Sequence, residues 1–337
     1  MDYRYDVYGI GNAIVDTEVQ VDDALLAANG LEKGIMTLVS EEVHRALLDG
    51  LAGYTQLGAA GGSAANTVVG LAQFGGRAFF TGKVGGDMQG ALYRESMAEV
   101  GVEFDVEAAN GAPTGSCLVL VTPDGERTMQ TSLGASAGLA ADDVDVERIA
   151  QSQLIYVEGY LFGSTTTGAA AERAMEAART NGTKVSLTLS DPGMAEHFID
   201  DFRRVTKEYV DILFCNEHEA RIYAGGGDRE DVIRSVGQDC PQVFMTCGGD
   251  GSMAYDHGTI VRVDGYQVPV VDTTGAGDVY AAGVLYGLIS GMSVAEAGKL
   301  GSFASAKIVT QLGPRLRERL GDHVAAIMGG ALPTQEF

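Results

Sequence analysis

The chain has 337 residues, 45% of them hydrophobic and 47 of them glycine, with no low-complexity tract, which suits a packed protein and excludes a disordered one. A formal charge of -23, from 46 acidic against 23 basic residues, opposes long-range attraction to nucleic acid or an anionic lipid surface. Four cysteines (Cys117, Cys215, Cys240 and Cys247) form no CxxC pair, the N-terminus lacks the apolar core of a signal peptide, and no apolar run reaches the roughly 18 to 20 residues of a membrane span, so a cytoplasmic protein is expected.

Residues 6–10 form a short apolar run ending among Gly9 and Gly11, and 14–21 mix apolar with charged side chains. Both predict strands, the first in the core and the second half exposed. Ser40 followed by Glu41 and Glu42 is an N-cap with acids at the positive end of a helix, which is expected to run to Leu51. Helical stripes at 64–74 and 88–100 flank a strand at 78–84. Between 115 and 131 the pattern changes to two β-rich arms, CLVLVT and ERTMQT, joined at Pro123, Asp124 and Gly125, a hairpin turn assigned to a lid. Strand-like runs at 154–157, 184–189, 212–214 and 243–246 then alternate with helical stretches such as 169–179, and 276–290 and 294–311 are apolar helices. This alternation predicts an α/β fold with a mostly parallel sheet covered by helices.

Residues 272–278 spell DTTGAGD, between the strand-like VPVV at 268–271 and an apolar helix. Glycines at such a turn let backbone N–H groups converge on an anion, and the helix start adds unpaired amides and a positive dipole end. Asp278 stands beside that nest. A carboxylate there can accept the proton of an attacking hydroxyl while amides stabilise charge on a transferred phosphoryl group. A lone GxGD would more often be a plain turn; the whole string in this context points to function.

The string resembles the second signature of the PfkB, or ribokinase-like, family of carbohydrate and nucleoside kinases. Residues 60–76, AGGSAANTVVGLAQFGG, are similar to its first signature. Asn216, Glu217, His218 and Glu219 look like its NxxE motif, and 246–252, TCGGDGS, resembles its nucleotide-binding glycine segment. The matches run in family order from Gly9 to about Pro314. The resemblance implies a three-layer α/β kinase domain over residues 1–330, a small β-sheet lid from about 12–39 and 102–132, and a tail at 331–337. It also implies transfer of the ATP γ-phosphate to a primary hydroxyl with Mg²⁺. Position by position, Asp278 becomes the base and Gly275, Ala276 and Gly277 the anion hole. Asn216, Thr246, Gly248, Gly249 and Gly251 fall on ATP, and Glu219 on magnesium through water, because Mg²⁺ keeps several waters. Asn216 also reads as an ordinary helix N-cap. Asp272 and Thr274 would help hold a monovalent cation such as K⁺.

On the acceptor side, Asp16 would accept hydrogen bonds from two adjacent sugar hydroxyls, with Asn12 beside it, Gly61 and Gly62 permitting close approach, and Asn66 at the ring edge. Within the family, the N-terminal layout and the segment ERTMQTSLGAS, in which Arg127 would reach toward the phosphates, look like adenosine kinases. Those often have Gln where this chain has Ala65, before the pocket Asn. Tyr160 and Phe162 are the candidates for an aromatic slot stacking on a purine. The expected activity is therefore adenosine to AMP, a purine-salvage step. A PfkB kinase of ribose, fructose or a related sugar and a catalytically silent nucleoside-binding protein are the alternatives. The expected partners are small molecules, with no nucleic acid or membrane, and the chain would be a monomer or homodimer.

Overall fold

The computed structural model describes residues 3–104, 106, 109 and 111–329; the tail at 331–337 lies outside the described residues. Eight strands form the central sheet: β1 (Tyr5–Ile10), β5 (Ala78–Thr81), β8 (Ser152–Glu158), β9 (Lys184–Thr188), β10 (Ile212–Asn216), β11 (Gln242–Thr246), β12 (Ser252–Asp256) and β13 (Thr259–Val263). Their order is β13-β12-β11-β10-β9-β8-β1-β5. Neighbours from β11 to β5 are parallel, and β12 and β13 close one edge as antiparallel strands. The inner strands are apolar along their length, as burial on both faces requires. On one face lie Thr165–Asn181 and Ile199–Tyr209, packed through Ala170, Ala174, Met175 and Phe202. On the other lie Ser63–Phe74, Ala276–Ile289 and Val294–Ile308. The result is the three-layer α/β architecture expected from the alternation. No helix among the described residues is long and apolar enough to cross a membrane.

A second sheet of five strands, in the order β3-β7-β6-β2-β4, contains β2 (Ile14–Gln20), β3 (Met36–Leu38), β4 (Gln56–Gly61), β6 (Gly115–Val121) and β7 (Arg127–Ser132). The β6–β7 hairpin turns where Pro123, Asp124 and Gly125 place it, Gly125 having a φ of +81°. Three features differ from the sequence reading. β4 joins this sheet, antiparallel to β2, although its Gly and Ala residues have poor strand propensity. Glu103 bridges Phe79 and Ala109 bridges Gly85, so those positions of the 102–132 stretch extend the central sheet instead. VPVV at 268–271 is not a strand: Pro269 has no N–H for a ladder, and Val270 and Val271 are exposed.

The helices on this second face approach closely because small residues meet. A Cβ at Gly70 would lie 2.8 Å from Ala282 Cβ, and one at Gly283 would lie 2.7 Å from the Gly301 backbone nitrogen. Ser63–Phe74 is thereby drawn against Ala276–Ile289.

Phe162 belongs to the opposite core. It stands edge-on to Phe202 with ring centroids 5.3 Å apart and is buried among Leu161, Ala170 and Met175, so it cannot face an acceptor. Phe162→Ala is expected to cost about 3–5 kcal/mol in urea unfolding while leaving the acceptor KM unchanged; a raised KM at intact stability would contradict this placement.

Candidate active site

Open α/β sheets bind ligands beyond the carboxyl ends of their parallel strands. Here those ends carry Gly11 and Asn12 after β1, Glu158 at the end of β8, Asn216 at the end of β10 and Thr246 at the end of β11. Asn216 and Thr246 are register partners.

Asp278, in the first turn of Ala276–Ile289, is half-buried. Its Oδ1 accepts from Ser63 Oγ at 2.6 Å and its Oδ2 from Asn66 Nδ2 at 3.0 Å. Desolvation raises its pKa, opposed by these two bonds and by the charges of Arg127 and Arg315. Asp16, reaching from β2, lies against Gly61, where a Cβ would stand 2.0 Å from its Oδ2. Gly62 has a φ of +90°, and a Cβ there would be 2.1 Å from the Asn12 carbonyl oxygen. Only glycine fits either position. Among the described residues no donor bonds the buried Asp16 carboxylate, and burial pushes its pKa up to about 7. Asn12 donates its backbone N–H (3.2 Å) and Nδ2 (2.8 Å) to Glu158, leaving its own Oδ1 buried and unpaired.

The DTTGAGD turn folds around Asp272. Its Oδ1 accepts from Thr274 N at 2.8 Å and Thr274 Oγ1 at 2.7 Å, and its Oδ2 from Gly313 N at 3.0 Å. Gly275 has a φ of +76° and sits against the Pro314 carbonyl oxygen. The Ala276 amide donates to Thr273 O at 3.2 Å, so the turn itself occupies one of the three amides assigned to the anion hole. A Cβ at Gly277 would meet nothing within 4 Å, which leaves room for an anion at the helix start.

Residues 53–319 match the family model described as pfkB family carbohydrate kinase. The chain belongs to this family. A probable sugar kinase from Rhizobium etli CFN 42 shares the fold with a TM-score of 0.93 at 33% identity, over 98% of this chain and 100% of its own. Adenosine kinase from Sinorhizobium meliloti does so with a TM-score of 0.92 at 36% identity, over 96% and 99%. Adenosine kinase 2 of Arabidopsis thaliana is 25% identical over 335 residues, 92% of this chain and 96% of its own. The chain is thus a phosphotransferase of the carbohydrate and nucleoside kinase class, with a hydroxyl group as acceptor.

On the other side of this pfkB cleft, Asn216 caps the helix Glu217–Ala224 through a reciprocal box: its Oδ1 accepts from Glu219 N at 2.9 Å, and Glu219 Oε2 accepts from Asn216 N at 3.0 Å. The N-cap reading of Asn216 therefore holds. Glu219 is buried, which pushes its pKa up to about 7. Gly251 is required by β13, since a Cβ there would stand 2.2 Å from Val263 O; Gly248 and Gly249 face open space. Tyr160 is partly buried against the core that holds Phe162, and burial and then the Asp191 carboxylate raise its phenol. Among the described residues no group of three or more His, Cys, Asp or Glu side chains is set to hold a metal ion directly.

Four contributors escaped sequence reading. Ser63 sits inside a recognised motif but was not singled out. Glu158, a charge closing an apolar strand, was a readable signal. It accepts from Asn12 and from Ala64 N at 2.9 Å, and burial pushes it to about 7. Glu18, on the lid, lies 3.5 Å from Thr274 Oγ1, and Arg315 bonds Asn66 from beyond the last motif.

For Glu158 a folded pKa above the unfolded value means that the native state binds the extra proton. Its stabilising effect is full below about pH 4.5 and is lost as pH rises through about 7. Asp16 acts with the same sign. Burial of His44 lowers its pKa and adds an opposite slope below about pH 6.5, so comparison with a variant isolates the effect. Between pH 5 and 8, Glu158→Gln is expected to lose about 1–3 kcal/mol less unfolding free energy than the wild type in urea titrations. Parallel curves would contradict the assignment.

Proposed function

We propose that the chain transfers the γ-phosphoryl group of ATP to the primary 5′-hydroxyl of adenosine, giving AMP and ADP, with Asp278 as the base. The observation that carries this reading is the pair of carboxylates flanking Gly61 and Gly62: Asp278, fixed by Ser63 and Asn66, and Asp16, buried without a donor. A largely buried carboxylate with no protein donor is poorly solvated, and the adjacent hydroxyls of a ribose would supply the donors. Each Asp278 oxygen takes one hydrogen bond, which orients the carboxylate and leaves lone pairs for the hydroxyl proton.

The cleft suits ATP and Mg²⁺. The space at Gly277 and the helix start would receive phosphate, Gly248, Gly249 and Thr246 would border the nucleotide, and Glu219 would reach Mg²⁺ through water, given its engagement with Asn216. When bound, ATP supplies the phosphoryl group and Mg²⁺ neutralises its charge. Asp278 takes the proton as the acceptor oxygen bonds to phosphorus and the bond to the bridging oxygen of ADP breaks. Asp272 and Thr274 supply oxygens suited to a monovalent cation beside the turn. Purine salvage in the cytoplasm is the setting this activity implies.

Coverage does not separate the acceptors, since an adenosine kinase and a probable sugar kinase both match nearly the whole chain; adenosine is favoured by the N-terminal layout and the segment ERTMQTSLGAS, which resemble adenosine kinases. A free sugar is the second reading. Its support is that Phe162 belongs to the opposite core and provides no aromatic slot, so a base would rest largely on the inner face of the lid, formed by Ile14, Cys117 and Val119. A coupled ADP-release assay at equal acceptor concentrations separates the two. Adenosine should give a kcat/KM at least about tenfold above ribose or fructose; either sugar outpacing adenosine would overturn the nucleoside reading.

A further inference from the structure

Residues 313–315, after the helix Val294–Ile308, form a strap that touches both halves of the active site. Gly313 donates its amide to Asp272 at 3.0 Å, the Pro314 carbonyl packs on Gly275, and Arg315 crosses to the acceptor side. There its Nε donates to Asn66 Oδ1 at 3.0 Å, one terminal nitrogen to Ser96 Oγ at 2.9 Å and the other to the Gly61 carbonyl at 3.4 Å. The guanidinium carbon lies 5.8 Å from the centre of the Tyr93 ring, and the Tyr93 hydroxyl donates to the same Gly61 carbonyl at 3.0 Å. The strap is held downstream as well, Leu316 O accepting from Gln73 Nε2 at 2.6 Å.

We propose that Arg315 is a positioning residue for Asp278, an inference that rests on Asp278 being the base. An amide side chain can turn by 180°, exchanging its oxygen and nitrogen. A guanidinium has only donors, so it accepts one orientation of Asn66, with Oδ1 toward Arg315 and Nδ2 toward Asp278. In the reversed orientation Asn66 would present lone pairs to the carboxylate, and the base would lose one of its two bonds. The same fork holds the Gly61 carbonyl, so one side chain sets the base and the glycine under Asp16 together. Its charge also lowers the pKa of both carboxylates.

The test uses the acceptor that the wild-type enzyme turns over best, so a wrong choice of acceptor shows in the wild type alone and a wrong role for Arg315 shows in the variant ratios. Arg315→Met should lower acceptor kcat/KM by about 30- to 100-fold and move the acidic limb of the pH profile upward. Arg315→Lys, which keeps the charge but lacks the planar fork, should return the limb to its place without restoring the rate. It also carries the test if the Met variant fails to fold. Adding Arg315→Met to Asn66→Ala should cost clearly less than Arg315→Met costs in the wild type, because the path through Asn66 is already gone and only the hold on Gly61 and the charge remain. Ser96→Ala, which removes only the outer bond, should lower Tm and leave kcat/KM alone. Arg315→Met within about twofold of wild type, or losses at Arg315 and Asn66 that multiply independently, would overturn the proposal.

Discussion

The whole site depends on how closely two helices can approach. Ser63–Phe74 carries the groups that hold Asp278, the proposed base, and Ala276–Ile289 carries Asp278 itself; they meet where Gly70 faces Ala282, with no room for a larger side chain. Both helices start at the level where the parallel strands end, so the amides there that the Ala64–Glu158 and Ala276–Thr273 bonds leave unused open toward the same cleft. With the helices in contact, Asn66 and Asp278 fall within hydrogen-bond distance although 212 residues separate them.

The electrostatics follow from that geometry. A protein of charge -23 has few cations to spend on a triphosphate, and the carboxylates of Asp16, Glu18, Glu158, Glu219, Asp272 and Asp278 already crowd the cleft. The positive potential at the turn comes instead from backbone dipoles at a helix start, aided by Arg127 and Arg315 near the acceptor carboxylates. Backbone dipoles are fixed by the fold and need no reorganisation when charge develops, which is the property phosphoryl transfer rewards.

Much of this was legible along the chain because the signals are local. Strand and helix periods located the central layers, and DTTGAGD and AGGSAANT carried Asp278, the proposed base, and the glycines beside Asp16. What stayed hidden depends on contacts between distant residues or on the facing of a side chain. Arg315 finds Asn66 across 249 residues, and Glu158 finds Asn12 across 146, neither with a spacing to read. Phe162 was misplaced because Gly159–Gly163 forms a 3₁₀ turn after β8, which breaks the alternation that would have told inward from outward. β4 was hidden by its glycines and alanines, of which Gly61 is small because it lies under Asp16.

The central claim is that one carboxylate, Asp278, carries the proton in the phosphoryl transfer. The most direct measurement is the pH dependence of kcat at saturating acceptor, where Asp16 is held by the acceptor hydroxyls, in wild type and in Asp278→Asn, alongside acceptor and ATP binding by calorimetry. Wild type should show an acidic limb above the usual carboxylate range. The variant should bind both ligands while losing about two to four orders of magnitude in kcat, with the limb gone from its residual activity. Near-wild-type turnover in Asp278→Asn, or the same acidic limb in both proteins, would contradict the account.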